Sequence, residues 1–256
     1  MPFWRLFQAE YRLHMSMTIQ YWFESILFVL IYSAIFLGLF YGAKTFIPGQ
    51  VEDLNSSLNG LMFGYFMYIF AMLAFNSAPH GVVEDNNRGY IDQLVMCPKG
   101  FLNLLFARVI VKVFWSLVQL VAIVYVAMAL SSNWIDLNFF KLFTLLIISA
   151  PSLVGIGLIN CGLALVYKRV AIVTGLMTMC LMGLVALDAF PVNAFSFLPF
   201  AFGASAAKAS ILNGAELVMT DYLIILLNSF VYMVIGIFLY KKMEKRAKRL
   251  NLIGIY

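Results

Sequence analysis

Apolar residues run along this chain in blocks of about twenty, the length a helix needs to cross the roughly 30 Å of hydrocarbon in a bilayer. Six blocks stand out, at residues 22–41, 58–78, 101–130, 140–166, 170–190 and 222–240, and each predicts a membrane-spanning helix. The segment before them, residues 1–21, is patterned differently. Phe3, Phe7, Tyr11 and Met15 recur every four residues with Trp4 beside them, while Arg5, Gln8 and Arg12 lie off that stripe. This predicts an amphipathic helix over 3–20, lying in the membrane interface. It has no uninterrupted apolar core of the signal-peptide kind, so it is expected to stay in the mature protein.

Two stretches break the rhythm. After the second block come Pro79, His80 and Gly81, then the polar run Glu84, Asp85, Asn86, Asn87 and Arg88, which makes 79–100 a connection between spans. Residues 191–215 are apolar but interrupted by Pro191, Pro199, Gly203 and Gly214. They are expected to form short helices that re-enter the outer leaflet where protein or water covers the backbone. The expected fold is thus an all-α integral membrane protein: an interfacial helix, six transmembrane helices, and a re-entrant segment between the fifth and sixth.

Composition removes the alternatives to a membrane location. Hydrophobic residues make up 63% of the 256 and charged residues 11%, where a soluble domain has about 25% charged. A water-soluble globule could not hide that much apolar surface, so the soluble enzyme classes drop out. Six spans use most of the chain, which leaves residues 1–256 as a single membrane domain. The net charge of +5 is a matter of placement. With the N-terminus, the 79–100 connection, the Lys168–Arg169 turn and the C-terminal tail on one side, only Lys44, Lys141 and Lys208 fall on the other, leaving 14 of the 17 basic residues together. The positive-inside rule then puts both termini in the cytoplasm, in the inner or plasma membrane of the cell. The excess charge is no sign of nucleic acid.

Catalytic signatures are missing from the sequence. It has no GxxxxGK[ST] phosphate loop, no HExxH, no GxSxG and no carboxylate cluster. Cys97, Cys161 and Cys180 are scattered, and His14 and His80 are isolated, so no metal, no cofactor and no enzymatic activity are expected on this chain. The polar residues within the blocks are Asn76, Gln119, Asn160, Thr174 and Asn228. They either hydrogen-bond between helices or line a substrate path. Gly38 with Gly42, and Gly60 with Gly64, form small-xxx-small pairs that permit close helix contact.

The most informative segment is Asp85-Asn86-Asn87-Arg88-Gly89-Tyr90-Ile91-Asp92-Gln93-Leu94-Val95-Met96-Cys97-Pro98. It resembles the corresponding region of the ABC-2 family of ABC transporter permeases (type V exporters), whose pattern there is E-x-x-x-G-T-x-E-x-L-x-x-x-P. Asp85 and Asp92 stand at the two acids, Gly89 at the glycine, and Leu94 and Pro98 at the leucine and proline. Asp replaces Glu twice, and Tyr90 stands where Thr is usual. Gly162-Leu163-Ala164-Leu165-Val166-Tyr167-Lys168-Arg169 is similar to the family's stretch after the fourth span. Phe190-Pro191 and Leu198-Pro199-Phe200 are similar to its Pro-rich re-entrant segment.

The resemblance implies a permease subunit that pairs with a second one, as a homodimer or heterodimer, above two ABC ATPase subunits. ATP and Mg would be bound by those ATPases. It assigns the coupling contact to Glu84, Asp85, Arg88, Gly89, Asp92, Leu94 and Pro98. The exported cargo of the family is amphipathic: drugs, antimicrobial peptides or lipid-linked glycans. The physics of the segment agrees with a docking element. Ile91, Leu94 and Val95 offer an apolar face, Arg88 and Asp92 stand four apart, Pro98 stops a helix, and acids at 84 and 85 favour a helix N-terminus. A membrane scaffold or immunity protein that binds a partner without moving anything is the alternative. A carrier driven by an ion gradient is disfavoured by the lack of paired acids in mid-span.

Overall fold

The computed structural model describes residues 3–46, 51–87, 89, 100–132, 134, 138–167 and 170–250. These are helical nearly throughout. In chain order the helices are α1 (Phe3–Gln20), α2 (Trp22–Phe46), α3 (Val51–Asn76), α4 (Pro79–Asn87), α5 (Phe101–Ser131), α6 (Phe139–Tyr167), α7 (Ala171–Ala186), a short 3-10 turn (Ala194–Phe197), α8 (Ala201–Leu212) and α9 (Met219–Arg249).

Five of these are long and apolar enough to cross a membrane, over Trp22–Thr45, Leu58–Asn76, Phe101–Ser131, Phe139–Tyr167 and Met219–Arg249. The chain is a multi-pass α-helical membrane protein. The block at 170–190 yields a shorter helix than its hydropathy predicts. α7 has 16 residues, about 24 Å at 1.5 Å per residue, and ends where Leu187 turns to extended backbone. α9 runs longer than its apolar block, carrying nine residues past Tyr240 to Arg249. Within the 79–100 connection the structure adds α4, started by Pro79 at a position where a missing N–H costs nothing.

Packing divides into two cores. The larger gathers Phe36 and Phe40 of α2, Phe63, Phe66 and Phe70 of α3, the second half of α5, the first half of α6, and α8. The smaller sits at the opposite end and joins Val82 of α4, Leu105 and Val109 of α5, Leu158, Cys161 and Leu165 of α6, and Tyr240 and Ala247 of α9, with Leu6 of α1 against it. The smaller core thus brings α1, α4, α5, α6 and α9 together.

Glycines decide where helices come closest, though not the expected ones. Ideal Cβ atoms at Gly38, Gly42, Gly60 and Gly64 have nothing within 4 Å. Close approach happens along α6 instead. Gly155 lies against the Tyr232 carbonyl of α9, Gly236 of α9 against the Gly155 carbonyl, and Gly157 against the Phe75 carbonyl of α3, with Met243 packed over Gly162. A side chain at Gly155 or Gly236 would meet backbone, which cannot swing away.

Candidate functional site

The protein-facing side of α1 is polar. Glu10 is buried, and His14 and Thr18 are half-buried one and two turns further on, whereas Phe3, Trp4 and Tyr11 are exposed. Three aromatics of the stripe thus face outward, while its Phe7 and Met15 are half-buried. The opposite stripe, Glu10, His14 and Thr18 at four-residue spacing, docks on the bundle. This second periodicity stands in the sequence beside the aromatic one, which masks it.

Glu10 meets Arg108, the eighth residue of α5. Arg108 Nε donates to Glu10 Oε2 at 3.3 Å, and Arg108 Nη1 donates to Asp85 Oδ2 of α4. All three side chains are between 11 and 17% exposed. One guanidinium so ties α1, α4 and α5 together. A guanidinium suits this role because its planar fork can serve two carboxylates at once. Lys112 lies one turn deeper, and its ammonium rests near Gly81, where an ideal Cβ would stand 3.2 Å from Nζ. Glu84, Asp85 and Glu10 all act on it electrostatically.

Deeper still is a polar cavity of about 230 Å³, lined by residues of α1, α2, α3, α4 and α5. Asn76 and Gln119, flagged in the sequence as possible path residues, both line it, together with His14, His80, Lys112 and Trp115. The Asn76 amide donates to the Met72 carbonyl of its own helix at 2.9 Å. His14 Nδ1 is 3.2 Å from Thr18 Oγ1, and its ring is 5.7 Å from that of Trp115. Burial pushes the His14 pKa below its usual 6.5 and outweighs the opposing pull of Glu10, so the ring is neutral at pH 7.

The other candidate polar residues are not part of this site. Asn160 of α6 donates to Thr174 Oγ1 of α7 at 2.8 Å, a bond between two helices. Asn228 of α9 donates to the carbonyls of Ser196 at 2.8 Å and Leu198 at 3.3 Å. It pins the 3-10 turn, which is itself capped by Asn193 and held by the Ser196 hydroxyl bonded to the Ala189 carbonyl at 2.7 Å. Each of these three residues bonds a neighbouring element.

Within the 79–100 connection, Gly89 has φ +72° with open space around it. Only glycine takes that backbone without strain, so the positive φ itself accounts for the residue. Asp85 sits near the C-terminal end of α4 and is bound to Arg108. Arg88, Asp92, Leu94 and Pro98 lie outside the described residues. Comparison with protein-family models and with curated proteins finds no match.

Proposed function

We propose that this chain is the membrane-spanning permease subunit of an ATP-driven exporter of the ABC-2 type. In this reading α7 and the turn after it supply the sixth crossing, residues 191–215 are the re-entrant outer segment, and both termini are cytoplasmic. Two such subunits stand side by side over two ATPase subunits, which bind ATP and Mg. The permease performs no chemistry. Closure of the ATPases pushes on residues 79–100, and the motion must reach the spans to open a path for an amphipathic cargo.

The observation that carries this reading is the Glu10–Arg108–Asp85 bridge. The acid that stands first in the ABC-2-like motif is bound to the third apolar helix and, through it, to the interfacial helix. A push on the segment is therefore passed to α5 and α1 through charge-assisted bonds rather than through a slack loop. The cavity lined by Asn76 and Gln119 adjoins these elements, so its shape changes when they move. That supports it as the inner end of a substrate route.

The test is ATP-dependent efflux of amphipathic dyes from vesicles holding the chain together with an ABC ATPase that copurifies with it. Transport that needs both ATP and Asp85 supports the reading. Vesicles that bind the ATPase yet stay inert favour the scaffold or immunity protein. Orientation is checked separately. In a background without native cysteines, Lys248→Cys should be labelled only from the inside, and labelling from outside in intact cells overturns the topology.

A further inference from the structure

The last nine residues of α9 carry six cations and one acid: Lys241, Lys242, Lys245, Arg246, Lys248 and Arg249 against Glu244. All six cations are exposed. Lys248 pairs with Glu244 at 2.6 Å. Among the described residues the other five have no carboxylate within ion-pair distance.

Their placement is not that of a solvated tail. At 100° per residue the six fall within an arc of about 160°. The opposite side of the helix is anchored: Tyr240 and Ala247 are fully buried, and Met243 packs on Gly162 of α6. The basic face is therefore presented by a fixed helix. Lys241, Lys245, Lys248 and Arg249, with Glu244, also border an open cleft of about 490 Å³.

Depth names the occupant. α9 is continuous with a membrane-crossing helix, and its apolar run ends at Tyr240. Hydrocarbon is followed by a headgroup layer of roughly 5–7 Å on each side, which is about four residues of helix. Lys241 and Lys242 then lie within that layer and Lys245 at its outer edge, with Lys248 and Arg249 roughly 5–6 Å beyond it in water, facing the anionic surface across less than a Debye length. We infer that this basic face and its cleft bind the headgroups of anionic lipids in the leaflet where α9 ends. Charge complementarity, the fixed presentation and the level of Lys241, Lys242 and Lys245 fit a lipid phosphate. This inference stands whether or not the chain moves a substrate.

The experiment uses the purified full chain, stripped of lipid in detergent. Phosphatidylglycerol or phosphatidylcholine with the same acyl chains is added, and retained lipid is counted by native mass spectrometry. The wild type should retain phosphatidylglycerol over phosphatidylcholine, and less of it at high salt. The variant K241Q/K245Q/K248Q/R249Q should retain at least roughly tenfold less, given the attraction each such cation contributes near an anionic surface. K241R/K245R/K248R should behave as wild type. Should the fourfold variant unfold, the exposed pair K245Q/R249Q is expected to show a smaller loss in the same direction. Unchanged retention in whichever Gln variant folds, or equal retention of the two lipids, overturns the assignment. Displacement by inorganic phosphate at the lipid's own concentration points to a soluble anion and also overturns it. So does loss of ATPase copurification with lipid retention unchanged, which would give the face to a protein partner.

Discussion

Replacing Arg108 by Met tests the bridge that joins α1, α4 and α5. The methionine keeps much of the volume and removes the cation that bridges Glu10 and Asp85, leaving them only the longer-range attraction of Lys112. Both carboxylates are mostly buried, at 11 and 17% exposure, so water cannot fully compensate. Breaking a buried ion pair by removing one partner typically costs about 3–5 kcal/mol. At 1.4 kcal/mol per factor of ten, the population with α1 undocked should rise by a factor between about 10² and about 4 × 10³. Glu10→Gln leaves Arg108 with Asp85 and should cost less, about 1–3 kcal/mol. The two changes share a partner, so the double variant should fall short of their sum. Hydrogen–deuterium exchange of the α1 amides reads the undocking directly, and the apparent unfolding midpoint in detergent reads the overall loss. Unchanged α1 exchange in Arg108→Met would refute the bridge as the link between these helices.

Gly155→Ala should destabilise by about 1–3 kcal/mol through overpacking, since its Cβ would meet the Tyr232 carbonyl, whereas Gly38→Ala, with open space around it, should be close to neutral; unfolding midpoints of the two compare them. The neutral His14 makes α1 docking sensitive to pH. Its pKa is lowered in the folded state, so the undocked chain binds more protons below pH 6.5, and docking is full above that value and weakens as pH falls through the window beneath it. Amide exchange in α1 should therefore quicken on acidification, and His14→Gln should flatten the response. Gly89→Val should lower transport more than Gly89→Asn, because a β-branched residue resists positive φ while Asn tolerates it. Equal transport by the two would mean that the φ of +72° does not constrain the segment.

The membrane character of this chain was legible in its sequence, because span length and hydropathy are local properties. So were a helix over residues 3–20, marked by its periodicity, and the interrupted 191–215 stretch, marked by its prolines and glycines. Helix pairing was not legible. α2, α6 and α7 are apolar on nearly every side, so no face is marked for the interior. Which glycines touch a neighbour then depends on each helix's rotation about its own axis. This is why Gly155 and Gly236 make the close contact and the Gly38–Gly42 pair does not. The polar residues behave alike. Asn160 and Asn228 look the same as Asn76 in the sequence, yet two hold neighbouring elements and the third lines a cavity. Glu10 and Arg108 are 98 residues apart, and nothing local to either names the other. Their pairing arises because a buried charge must find an opposite one, and only the packing of α1 against α5 decides which lies within reach.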